Sequence, residues 1–365
     1  MTQPPLSKIR ASLKRRKLDV LLISQPENRR YLSGYSAVDH GIAESSGVLL
    51  IPARGNPFLL TDSRFQLHAE KEAPDFEVVL YPRGLIALLK KMLPQLGVKR
   101  LGFESHYTLH STALAFEKMA ARLDIDMVGL SGLVENFRVR KTDEEIEKIR
   151  RSVRLNEEVF QDIYKELRPG MTEQEVALRI ETAMKLKGAE RPSFDTIVAG
   201  GPNGALPHAV PSNRPLKEGE PIVIDMGLVL DGYCSDMTRT VVLGRPDTKT
   251  VHRFRLVRKA QLAGMAAIRA GVTGKEADRA ARDVIDKAGY GKQFGHGLGH
   301  GVGLAVHEAP SLNRRNRKKL RSGMIVTVEP GIYLPGWGGI RLENMVVVTA
   351  DGCRDLNRDR TFLDI

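Results

Sequence analysis

The sequence predicts an α/β domain over residues 1–130, a linker over 131–141, and a larger α+β domain over 142–365 containing an internal pseudo-two-fold duplication. Three observations predict it. Short apolar runs alternate with helical stretches through the first third of the chain. A capping box at Thr142 opens a long amphipathic helix. Beyond that helix, one pattern of cap, glycine, strand and acid occurs twice.

In the first domain DVLLIS, GVLLIP, PFLLTD and EVVLY read as strands, and LIALLKKMLPQL and STALAFEKMAARL as helices. No phosphate-binding loop and no catalytic cluster occurs there. SGLVENFRVRK, residues 131–141, reads as the linker. Thr142, with Glu145 three residues later, then starts a helix. Its apolar face is Ile146, Ile149, Val153, Phe160 and Ile163, and Pro169-Gly170 marks its end.

The duplication follows. Arg154-Leu155 recurs as Arg255-Leu256, and Gly170-Met171-Thr172 with Glu175 recurs as Gly271-Val272-Thr273 with Glu276. Gly188 recurs as Gly289, each a candidate helix stop. The order His208, Pro211-Ser212, Leu216, Gly219, Asp225 is repeated, with a shift in spacing, as His307, Pro310-Ser311, Leu320, Gly323, Glu329. A two-fold arrangement of the halves brings Asp225 and Glu329 face to face.

Composition bounds the function. The chain has 365 residues, 42% hydrophobic and 27% charged, which excludes bulk disorder, a collagen-like repeat and a disulfide mini-scaffold. Only Cys234 and Cys353 occur, so a reducing, cytoplasmic setting is expected. The basic N-terminal stretch lacks the apolar segment of a signal peptide, and no run is long enough to span a membrane. The net charge of +12 comes from 56 Lys+Arg against 44 Asp+Glu. Its tight clusters are Lys14–Lys17 and Arg314–Arg321, without interleaved aromatics, and solvated faces are expected rather than a nucleic-acid or acidic-partner surface.

The chemistry lies in the second domain. IVIDMGLVLDGYCSDMTRTVVL reads as two strands turning at Asp231-Gly232. If Leu230 and Tyr233 flank the turn, Asp225 faces Thr238, and Asp236 shares its sheet face. Two carboxylates on one apolar sheet call for a positive charge between them. Glu329 ends MIVTVE, and Glu343 lies in GIRLENMVVVT, read as one strand with Arg341 on the same face. Between the acids GHGLGHGVGLAVHE carries His296, His300 and His307 among glycines that admit close backbone approach. HExxH is absent. Four carboxylates and one histidine form a hard, oxygen-rich set suited to two divalent ions and metal-assisted hydrolysis.

The strings IDMGLVLDGYCSDMTRT, HGLGHGVGLAVHE, TVEPGIY and GIRLEN resemble the M24 metallopeptidases, the creatinase/prolidase or pita-bread family, in its Xaa-Pro aminopeptidase and Xaa-Pro dipeptidase branch. The resemblance is specific over 190–347 and rests on length and α/β character in the N-terminal domain. It implies Asp225, Asp236, His300, Glu329 and Glu343 as metal ligands, with Asp236 and Glu343 bridging two ions. The carboxylate-rich donor set makes manganese the first expectation, with Co²⁺, Zn²⁺ or Fe²⁺ as alternatives. The resemblance also implies a shared hydroxide as nucleophile and Glu329 as proton shuttle. His208 and His307 steady the substrate carbonyl and the intermediate, Arg341 lies beside the site and His296 near the pocket mouth. A homodimer is implied, with the N-terminal domain narrowing access. The activity implied is removal of the residue before proline, with a strict dipeptidase, a non-peptide amide hydrolase and a non-catalytic binding module as the alternatives.

Overall fold

Runs such as VLLI and VLLIP are apolar on both sides of the pleat, and such strands belong in a sheet covered on two faces. In the computed structural model, which describes residues 5–361, they form one. Residues 1–4, the start of the N-terminal stretch considered for a signal peptide, lie outside the described residues. The strands are β1 (Val20–Ile23), β2 (Val48–Pro52), β3 (Phe58–Thr61), β4 (Glu77–Leu80), β5 (Arg100–Glu104) and β6 (Asp126–Leu130), in the mixed order β4-β3-β2-β1-β5-β6. Leu21 and Ile23 of β1 face one core with Leu13 and Leu32, and Val20 and Leu22 face the other with Leu93 and Phe116. The covering helices are α1 (Pro5–Arg16), α2 (Pro26–Ser33), α3 (Gln66–Glu72), α4 (Leu85–Gln95) and α5 (His110–Arg122). Lys14, Arg15 and Arg16 fall in the last turn of α1, where cations complement the helix dipole. This unit ends at Arg138, and a second begins at Val139. The division falls within the segment read as a linker, and a short helix α6 (Glu135–Arg138) belongs to the first unit.

In the second unit, α7 (Asp143–Glu166) starts with both hydrogen bonds of the Thr142/Glu145 capping box, an N-cap worth about 1 kcal/mol. All five residues of its expected apolar face are buried. There follow α8 (Glu173–Leu186), β7 (Arg191–Pro192), β8 (Ile197–Gly200), β9 (Pro221–Met226), β10 (Leu228–Leu230), β11 (Tyr233–Cys234) and β12 (Met237–Val242). The chain continues through α9 (Thr248–Ala267), α10 (Gly274–Lys287), β13 (Gly299–Gly301), β14 (Glu308–Leu312), β15 (Ile325–Val328), β16 (Gly331–Leu334), β17 (Gly338–Arg341), β18 (Asn344–Val348) and β19 (Cys353–Asp355).

The repeat is present down to single hydrogen bonds. Capping boxes at Thr172/Glu175 and Thr273/Glu276 start α8 and α10. Gly170 N–H donates to Leu216 O and Leu216 N–H to Met171 O at 2.9 and 2.8 Å. Gly271 and Leu320 reproduce the pair with Val272 at 2.9 and 2.7 Å. The two glycines have φ +93° and +92°, a backbone state that disfavours any side chain. Each half packs a helix pair on a sheet with its own core, α7 and α8 on β8-β9-β12, α9 and α10 on the sheet containing β13-β15-β18.

Both site-bearing segments are less continuous than their sequences suggest. The hairpin turns where expected, with Leu230 opposite Tyr233 and Asp225 opposite Thr238. Its tip, however, leaves the β9–β12 ladder at Gly227 and at Ser235-Asp236 and joins β7 in another sheet. A side chain at Gly227 would stand 2.2 Å from Ser235 O, so only glycine permits this crossing. GIRLENMVVVT is likewise not one strand. It splits at Leu342-Glu343 into β17, paired with β16, and β18, paired with β15. Glu343 N–H there donates to Thr238 O at 3.1 Å, across the two halves. The expected shared face of Arg341 and Glu343 on a single strand is therefore corrected: the two belong on either side of a strand break.

Candidate metal centre

These breaks place the acids. Asp236 immediately precedes β12, and Glu343 immediately precedes β18, the equivalent strand of the other half. Asp225 lies near the end of β9, and Glu329 follows β15 directly. All nine residues singled out from the sequence, Asp225, Asp236, His300, Glu329, Glu343, His208, His296, His307 and Arg341, line one cavity of about 540 Å³ within the second unit.

One ligand atom each from Asp236, His300 and Glu343 can be chosen so that all three lie within 4.8 Å of one another. His300 Nε2 stands 3.3 Å from Glu329 Oε1 and 3.6 Å from Asp236 Oδ2. Its Nδ1 contacts Gly301 O at 3.1 Å, and that contact orients the ring with Nε2 toward the carboxylates. Asp225 Oδ1 and Glu343 Oε1 are buried and accept no hydrogen bond from the described residues. Buried anionic oxygens without donors are costly, and a cation is the partner that fits them.

The electrostatics agree. Burial, then the charges of Glu343, Asp225 and Glu329, push the Asp236 carboxyl well above the usual range. Burial, then Glu329 and Asp225, do the same to Glu343. At Glu329 burial pushes upward but is outweighed by the hydrogen bond and charge of His300, which hold the carboxyl low. Burial also opposes protonation of His300, and contact with Glu329 overrides it, so the imidazole is raised. This donor set fits divalent cations.

A pH dependence follows. Asp236, Glu343 and His300 have folded-state values raised above their unfolded ones. In chelated protein their contribution to stability is present below the unfolded values and is lost as pH rises through the raised ones. Bound metal displaces those protons. The Tm difference between metal-loaded and chelated protein is therefore expected to widen as pH rises above the ordinary carboxylate range. A constant difference across a scanning-fluorimetry series contradicts it.

Arg341 is held on every side. Nη2 donates to Asp225 Oδ2 at 2.5 Å, Nη1 to Tyr333 Oη at 2.9 Å and Pro207 O at 3.0 Å, and Nε to Thr238 Oγ1 at 3.0 Å. Tyr333 Oη also meets His296 Nε2 at 2.9 Å, and burial raises the phenol to about 12. His208 and His307 are exposed on the cavity wall, with the His300 and His307 rings 4.3 Å apart. Sequence reasoning passed over Tyr333, although it ends the string TVEPGIY. It also missed Thr327, whose Oγ1 donates to Glu329 at 3.2 Å and accepts His300 N–H at 3.0 Å. Lys141, in the segment that the sequence assigns to the linker, is buried against Glu308 beside His307.

Residues 147–350, more than half of the chain, match the pattern of metallopeptidase family M24. The chain belongs to that family. Residues 5–140 of this M24 metallopeptidase match the creatinase/prolidase N-terminal domain. The chain is 33% identical over 358 residues to the Xaa-Pro dipeptidase of Pyrococcus horikoshii, covering 97% of this chain and 96% of that one. Among solved structures, the Xaa-Pro dipeptidase from Bacillus anthracis matches with a TM-score of 0.90 at 37% identity, over 98% of this chain and 97% of that one. The X-Pro aminopeptidase from Thermotoga maritima matches with a TM-score of 0.86 at 37% identity, over 96% and 98%. The catalytic unit thus has the pita-bread fold, and the M24 family implies divalent metal ions. No helix of the described residues is long and apolar enough to cross a membrane, and neither cysteine is in a disulfide.

Proposed function

We propose that this chain is an Xaa-Pro aminopeptidase that removes the residue before proline from the N-terminus of peptides, using two divalent metal ions. The observation that carries the reading is the buried acid set, with two oxygens lacking donors, in a chain similar over nearly its whole length to Xaa-Pro peptidases. Asp225, Asp236, His300, Glu329 and Glu343 would hold the ions. When bound, the ions acidify the attacking water and polarise the scissile carbonyl. Glu329, kept ionised by His300, accepts the water's proton and passes it to the proline nitrogen. On the cavity wall His307 is partly desolvated, which with the charge of His300 lowers its pKa and leaves it neutral at pH 7. It and His208 donate N–H bonds to the oxygen that gains charge. Arg341 fixes the carboxylate of Asp225 and the hydroxyl of Tyr333. His296 lies toward the pocket mouth.

Proline calls for a dedicated enzyme because Xaa–Pro is a tertiary amide with no N–H and a restricted shape. A cavity of about 540 Å³ falls within the roughly 300–1,000 Å³ typical of small-molecule sites, and so admits more than a minimal ligand. Oxygen-rich donors favour manganese, with cobalt, zinc and iron as alternatives. A cytoplasmic homodimer completes the proposal, supported by cysteine usage for the first part and by the family resemblance for the second. A strict dipeptidase is the second reading, favoured by the relatives that carry that name.

The test is hydrolysis of Xaa-Pro-Yaa, Xaa-Pro and Xaa-Ala-Yaa peptides by chelated protein with and without added Mn²⁺. Tripeptide cleavage at proline alone, restored by metal, is expected. Cleavage of the dipeptide alone makes the chain a dipeptidase, and no cleavage by metal-loaded protein overturns the proposal. His307→Ala is expected to lower kcat by about 10²–10³-fold, as loss of one oxyanion donor does, with metal content unchanged. Loss of metal in that variant would instead make His307 a ligand.

A further inference from the structure

One basic cluster of the sequence remains without a role, Arg314–Arg321. Its first two members face a second cavity of about 1080 Å³ that adjoins the catalytic one and shares His296, Gly297 and Asn313 with it. Lys292, Arg314 and Arg315 line this groove, all three are exposed, and among the described residues none of them forms an ion pair. The opposing charge on the groove is Asp286, whose carboxylate is packed beside Gly291. Arg282 is committed to the wall. It pairs with Asp278 through two nitrogens at 2.8 and 2.9 Å, stacks on Phe294 and donates to the Phe294 and His296 carbonyls.

We propose that this groove is a subsite for the part of a peptide downstream of proline, and that it selects chains carrying a carboxylate there. The inference rests on the peptidase reading above. Three cations lining a groove that adjoins the catalytic cavity raise the local concentration of an anionic chain and hold its carboxylate. The source of that carboxylate is an acidic side chain or the peptide's own C-terminus. The wall the groove shares with the catalytic cavity, His296, Gly297 and Asn313, is what favours a peptide over a nucleic acid.

The test uses metal-loaded enzyme and four peptides of the form Xaa-Pro-Gly-Zaa: C-terminal amides with Zaa as Glu, Gln or Lys, and the Gln peptide as a free acid. The Glu amide is expected to exceed the Gln amide in kcat/KM by about three- to tenfold at low salt, with the Lys amide lowest, and the spread is expected to shrink with salt. The free acid matching the Glu amide assigns the effect to any downstream carboxylate; matching the Gln amide, it restricts it to side chains. The double variant Arg314→Glu/Arg315→Glu changes exposed residues outside the catalytic set and is expected to abolish or reverse the preference while the Gln amide is cleaved as before. Equal cleavage of all four peptides, or a preference that survives the double variant, overturns the subsite alone. Salt-dependent oligonucleotide binding without any peptide preference also overturns it. Failure to cleave any Xaa-Pro peptide overturns the peptidase reading and this inference together.

Discussion

Asp236→Ala is expected to abolish peptidase activity while leaving a folded protein. Asp236 is 4% exposed and lies among three other carboxylates, so its ionisation is opposed by burial and by Glu343, Asp225 and Glu329 in turn. A group held against such opposition serves a ligand before it serves the fold. Removing it relieves repulsion in chelated protein, so Tm without metal is expected to stay level or rise. Metal affinity is expected to fall by more than the about 10–100-fold that loss of an outer hydrogen-bonding partner costs at a metal site. Metal analysis after dialysis, with a rate assay on an Xaa-Pro-Yaa peptide, checks both parts. Wild-type turnover with ordinary metal content in this variant would sink the assignment of the site.

The second large effect is expected at Arg341, and it lies in stability. Its guanidinium serves Asp225, Tyr333, Thr238 and Pro207 at once, with 3% of the residue exposed. Arg341→Met keeps much of the bulk but leaves the Asp225 carboxylate buried without its cation. Breaking such a pair typically costs about 3–5 kcal/mol. That loss is expected in full in chelated protein and in smaller measure with metal bound, because a cation at Asp225 offsets the missing charge. Denaturant unfolding of both forms measures the difference. A cost below about 1 kcal/mol without metal, the range of an exposed pair, contradicts this role for Arg341.

The contrast between the two hairpins explains what could be read ahead of the structure. At Asp231-Gly232 the turn residues have φ +50° and +83°, the signature of a two-residue turn that fixes register by itself. Asp225 opposite Thr238 follows from local chemistry alone. GIYLPGWGG fixes no such register. The ladder closes with Leu334 opposite Gly338, and the chain then breaks at Leu342-Glu343. What fixes that break is Thr238 O accepting from Glu343 N–H and the Arg239 guanidinium donating to Glu343 O, contacts from the other half of the duplication. No window of sequence contains them. Tyr333 and Lys141 were missed for the same reason, since each acquires its partner only through tertiary packing. In the first unit RLGFE and DMVGL became β5 and β6 although neither is a plain apolar run. Gly102 within β5 lies against Leu18, Leu21 and Leu130, so its lack of a side chain is what lets those leucines pack.

Titrating chelated protein with Mn²⁺ while following both bound metal and Xaa-Pro-Yaa hydrolysis tests the central claim most directly. The acid set predicts no activity without metal, two ions bound per chain at saturation, and activity that reaches its plateau only as the second site fills. Full hydrolysis by chelated protein, or a plateau reached with no metal bound at these residues, would contradict the account.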